Sequence, residues 1–93
     1  MDAADLVLTK HNIYPGVKAY DYIRYMITAN TESLSSLKLK TVYDEVATYF
    51  NVSVVWVQRS IVRAIETSNL RSTPKTALAT LQREYLSLSK KVK

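Results

Sequence analysis

Tyr43–Glu66, YDEVATYF-NVS-VVWVQRSIVRAIE, is the stretch that decides how this chain folds. Val42, Val46 and Phe50 recur at four-residue steps with Ala47 beside them, and Val54, Val57, Ile61, Ala64 and Ile65 repeat the pattern beyond Ser53. Apolar residues at that period give each segment one buried helical face. The break between them, Asn51-Val52-Ser53, has room only for a tight corner. Asn51 tolerates the left-handed backbone that stops a helix, and Ser53 is a good N-cap for the next one. Ala47 is small where two crossing helices approach. The reading is a helix-turn-helix over residues 40–68, whose second helix enters the major groove of DNA. Helical hairpins that never meet DNA share the period; fewer combine it with the αL-tolerant corner, the serine cap and two outward arginines.

Outward from this stretch, the 93 residues are 47% apolar with one Gly and two Pro. That composition suits a single all-α domain, residues 1–93, of about five helices. No cysteine is present, which excludes disulfides, thiolate metal sites and cysteine nucleophiles. The acidic start, MDAADLVLTKHN, has no long apolar run, so neither a signal peptide nor a membrane anchor is expected, and the expected location is the cytoplasm. The net charge is +5 and lopsided: residues 1–45 carry five Lys or Arg against six Asp or Glu, and residues 46–93 carry eight against two. A polyanionic partner follows, although a basic surface also serves plain solubility.

In chain order, Asp2 to about Asn12 reads as a short helix with Leu6 and Val7 on its apolar side. Tyr14-Pro15-Gly16 breaks it, with Pro15 suited to the start of the next helix. Val17, Tyr20, Ile23 and Ile27 give that helix a face, which Tyr22, Tyr25 and Met26 widen towards a second neighbour. Residues 31–37 form a polar loop with Leu34 and Leu37 as anchors. The third helix starts near Lys38–Lys40, and the fourth runs from about Val54 to Ser68. Thr73 then caps a fifth helix that opens on Pro74 and carries Leu78, Leu81, Tyr85 and Leu88 on one face, ending in a frayed basic tail at 89–93.

Three motifs resemble one family. Val17-Lys18-Ala19-Tyr20-Asp21-Tyr22-Ile23-Arg24 followed by Met26-Ile27 is similar to the "IKGYxYLRxAI" helix in the DNA-binding effector domain of the master sporulation-initiation response regulator of endospore-forming bacteria. His11-Asn12-Ile13 is similar to that family's "HEIG". The segments Val42–Asn51 and Val57–Glu66 resemble its "LYPDIAKKFN" and "VERAIRHAIE". Order and spacing hold over residues 11–66; Pro74–Leu86 matches the family's last helix only loosely. The resemblance implies a bacterial DNA-binding transcription regulator that binds paired half-sites as a homodimer. It does not carry over the target sequence. Trp56 and Val62 stand where the family has arginine, Gln58 where it has glutamate, and Arg63 where it has histidine, while Arg59 is retained. The link from Thr67 to Thr73 is too short for the small helix the family inserts there. The family's receiver domain has no counterpart, so a stand-alone module without a phosphorylation switch is expected.

The predicted base contacts are Gln58 and Arg59, with Val55 and Trp56 beside them. Arginine bonds bidentately to guanine and glutamine to adenine, each pair discriminating by roughly 1–3 kcal/mol. Ser53, Arg63, Lys38, Lys40, Arg71 and Lys75 are the predicted backbone contacts, supplying affinity and salt dependence. The plainer alternative for each is a solvated surface residue. Val55, Trp56 and Val62 make this face less polar than a usual base reader. They support a second hypothesis, a protein-interaction adaptor or antagonist built on the same scaffold. Catalysis has little support. His11 is the only histidine and reads as a helix-end or interface residue. Asp44 and Glu45 point in different directions and read as first-turn acids favoured by the helix dipole. Tyr20, Tyr43 and Tyr85 read as core, and no cofactor, metal ion or small-molecule substrate is expected.

Overall fold

The computed structural model describes residues 2–30 and 32–91. Those residues form five helices and no strand: α1 (Ala3–Lys10), α2 (Lys18–Ala29), α3 (Leu39–Phe50), α4 (Val54–Thr67) and α5 (Pro74–Lys91). None of them is long and apolar enough to cross a membrane. Buried residues from all five helices, joined by Ile13 and Leu34 from the connections, make one core.

Local chemistry sets the helix ends. Asp2 caps α1, its Oδ1 accepting from the Asp5 backbone N–H at 3.0 Å. Asn12 (φ 64°) and Asn51 (φ 55°) stop α1 and α3 in the left-handed region. Each is followed by a backbone N–H that returns to the carbonyl five residues earlier: Ile13 to Leu8 at 2.9 Å and Val52 to Ala47 at 3.0 Å. The asparagine N–H itself bonds the carbonyl three residues back, which completes a Schellman stop at both sites. Ser53 caps α4 by accepting from the Trp56 N–H at 3.1 Å, and Thr73 caps α5 through the Thr76 N–H at 3.4 Å.

The central helix is α2, which touches the other four. Its buried face, Ala19, Tyr20, Tyr22, Ile23, Met26 and Ile27, is broader than a single contact needs. Val17 is not part of that face. It is the N-cap residue and 53% exposed, because Pro15 and Gly16 (φ 99°) form a turn and the helix opens only at Lys18. On α1 the buried side is Ala4, Val7 and Leu8, and Leu6 faces outward. Asp44 and Glu45 fall in the second turn of α3, beyond the first-turn dipole site. As neighbours on a helix they point about 100° apart, and both border a shallow depression with Tyr25 and Tyr49. Lys90 and Lys91 close α5 as regular helix, whereas Val92 and Lys93 of the expected tail lie outside the described residues.

Away from α4, polar side chains join the helices and their connections at three places. Gln82, 2% exposed on α5, accepts from the Leu34 N–H at 2.8 Å and donates to the Asn30 and Glu32 carbonyls at 3.2 and 2.9 Å. This single side chain ties the α2–α3 connection to α5. His11, at the end of α1, lies between Asn69 Oδ1 (2.6 Å from Nδ1) and the Glu84 carboxylate (3.0 Å from Nε2), so the lone histidine is an interface residue. Lys10 also reaches Glu84, at 3.2 Å. Finally, Arg24 of α2 pairs with Asp2 and, at 3.4 Å, with Asp5, which also accepts from the Tyr20 hydroxyl.

The last two junctions make stability depend on acid. The Tyr20 hydroxyl, with Arg24 beside it, holds the Asp5 carboxyl below its ordinary range against an opposing effect of burial. At Glu84 burial pushes upward but is outweighed by the bonds and charges of His11 and Lys10, so its carboxyl too is held low. A carboxyl depressed on folding contributes stability above its unfolded pKa of about 4, lost as the pH falls through the folded value. Asp5→Asn is therefore expected to melt a few degrees below wild type at pH 6, as for a partly exposed pair worth about 0.5–1 kcal/mol. The gap should narrow as the pH falls from about 4 to about 3. Thermal scans at both pH values check this; a gap unchanged at pH 3 contradicts it.

Candidate nucleic-acid interface

The α4 helix has a buried side of Val57, Ile61, Ala64 and Ile65, packed on α2 and α3. Residues spaced i, i+3, i+4, i+7 from Val55 share the opposite side. They are Val55, Gln58, Arg59, Val62, Arg63 and Glu66, and they line one shallow groove running along the helix. Val55 is 51% exposed, and Gln58, Arg59, Arg63 and Glu66 are exposed as well. The three polar side chains singled out from the sequence thus project from a single ridge. The last helix does not cover it, because α5 packs mainly on α1 and α2.

The ridge is held rigidly at its start. Phe50, the last residue of α3, is ringed by Tyr22, Tyr25 and Tyr49 at centroid separations of 5.1, 5.9 and 5.0 Å. Tyr22, itself buried, accepts a hydrogen bond from Trp56 Nε1 at 3.0 Å. Side chains of α2 therefore grip both sides of the Asn51–Ser53 corner. Trp56 stands at the edge of the ridge, 49% exposed, with its only side-chain donor engaged by Tyr22. What remains available is its ring.

Charge is distributed unevenly. Every ion pair among the described residues involves α1 or one of its two cap residues: Asp2, Asp5, Lys10 and His11 pair with Arg24 and Glu84. Arg59 and Arg63 pair with no described acid. Lys38 sits at the N-cap position of α3, Lys40 in its first turn and Lys75 in the first turn of α5; all three are exposed and unpaired among the described residues, but none shares the α4 groove. Arg71 lines a second depression that includes Val62 and Glu66, which places it beside the far end of the ridge. Ser53 is at the near end, its hydroxyl committed to capping. The structure thus assembles Val55, Gln58, Arg59 and Arg63, sets Trp56, Ser53 and Arg71 around them, and leaves Lys38, Lys40 and Lys75 further out.

Two contributors were missed from the sequence. Glu66, four residues beyond Val62, places an acid at the C-terminal end of the ridge. Its position follows from the helical period alone. Tyr22 as partner of Trp56 has no local signal, since 34 residues separate them. Comparison with known protein families, characterised proteins and solved structures finds no match to this chain.

Proposed function

We propose that this protein binds double-stranded DNA sequence-selectively, with α3 and α4 acting as a helix-turn-helix and α4 lying in the major groove. The observation that carries the reading is the ridge: Gln58, Arg59 and Arg63 emerge together from a rigidly seated helix, and none of them is spent on an ion pair or side-chain hydrogen bond among the described residues. Arg59 and Gln58, in the first two turns, meet base edges; Arg63, one turn on, meets phosphate. Lys38, Lys40, Arg71 and Lys75 hold the backbone on either side. From the motif likeness of residues 11–66 to the sporulation regulator's effector domain we further propose a role in bacterial transcription and binding as a homodimer on paired half-sites.

The test is an equilibrium titration of the folded protein with an end-labelled random duplex at low salt. Binding should weaken as salt rises, with a slope of log K on log salt near −4.5 per protomer if Arg63, Lys38, Lys40, Arg71 and Lys75 each neutralise one phosphate, at about −0.9 per contact. No binding by folded protein at low salt would sink the proposal. The half-exposed Val55 and Trp56 favour one rival reading, a protein-interaction adaptor that grips its partner with these side chains and Val62. That reading expects no duplex binding and no salt slope.

A further inference from the structure

We propose that Val55 and Val62 are specificity-determining residues that read the C5-methyl groups of thymines. This rests on the DNA-binding reading above and goes further, naming a base that Arg59 and Gln58 do not account for. The seven-residue spacing of the two valines puts them nearly in line, two turns apart along the middle of the ridge, with Gln58 on one side and Arg59 on the other. A branched aliphatic side chain can neither donate nor accept a hydrogen bond, so against a base edge it is useful only where that edge is apolar. In the major groove of unmodified DNA the apolar feature is the thymine methyl. Trp56 cannot take over polar recognition at this end, because its indole N–H is held by Tyr22. Seven residues of helix span about 10 Å, which corresponds to about three base steps. The target site should therefore carry two thymines at that separation, flanking positions set by Arg59 and Gln58.

The chemistry recognised is a C5-methylpyrimidine, which thymine or 5-methylcytosine could supply. Duplexes selected by the protein from a random pool with unmodified cytosine would be resynthesised with deoxyuridine at each thymine in turn, which removes only the methyl. Deoxyuridine at two positions should weaken binding by about fourfold each, the value of one buried methyl-sized group. Val55→Ala should abolish the sensitivity at one position and Val62→Ala at the other, while the salt slope stays unchanged. A selected duplex in which no thymine responds, or a response that survives in both alanine variants, overturns the inference while leaving DNA binding intact. A second pool in which every cytosine is 5-methylated separates the two sources: enrichment of 5-methylcytosine over thymine at these positions overturns the assignment to thymine. If the protein selects no duplex at all, the DNA-binding reading falls and this inference with it.

Discussion

Gln82→Met will lower the thermal midpoint by about 8–24 °C, the largest stability loss expected from any single polar side chain here. Methionine keeps nearly the same volume, so the loss reports hydrogen bonding and not a cavity. The Leu34 N–H is buried with Gln82 Oε1 as its partner, and stranding a buried donor costs about 1–3 kcal/mol. The Asn30 and Glu32 carbonyls, partly buried, lose their donor in the same step. Together a loss of about 2–3 kcal/mol is expected, and for a domain of this size each kcal/mol moves the midpoint by about 4–8 °C. Amide exchange at Leu34 should accelerate more than exchange in α4, because Gln82 holds the α2–α3 connection and not the ridge. A midpoint within 3 °C of wild type would mean that water enters and replaces the amide.

The second large effect concerns recognition. Arg59→Ala is expected to cut the ratio of specific to random-duplex affinity by about 10- to 100-fold, the value of one bidentate base contact. Lys40→Ala should weaken all duplexes alike and reduce the salt slope by about 1. Both side chains are exposed, so stability should change by no more than about 0.5 kcal/mol in either variant. Titration of a selected duplex and a random duplex at two salt concentrations checks the pair. Equal loss of discrimination from both substitutions would contradict the roles assigned to them.

The features that were legible in the sequence are those written within a few neighbouring residues. The α3–corner–α4 unit was visible because an αL-tolerant asparagine, a capping serine and the apolar period all act locally, and Asn51 and Ser53 occupy those roles in the structure. Thr73 with Pro74 announced α5 in the same way. Where the reading failed, two local preferences competed or a distant partner decided. Pro15 suits a helix start, but the positive φ at Gly16 postpones α2 to Lys18 and leaves Val17 outside the core. Leu6 looked as buried as Val7, but α1 has room for only one face on α2 and α5. Gln82 gave no warning: a glutamine among leucines on a helix reads as a solvent-side residue until the backbone 48 residues earlier is seen to meet it. The ridge was therefore legible as a pattern of side chains, whereas the contacts that hold it still, Trp56 to Tyr22 and Phe50 among three tyrosines, were not.

The bond between Trp56 and Tyr22 has a practical consequence. The chain contains one tryptophan, so emission excited beyond the absorption of its tyrosines comes from a single known place. One edge of that fluorophore is anchored on the buried Tyr22 and the other faces solvent. Release of α4 from α2 would shift its emission to the red, whereas a nucleobase stacking on the open side would quench it without that shift. Without any attached dye, the protein thus reports separately on whether α4 is seated and whether something has docked against it.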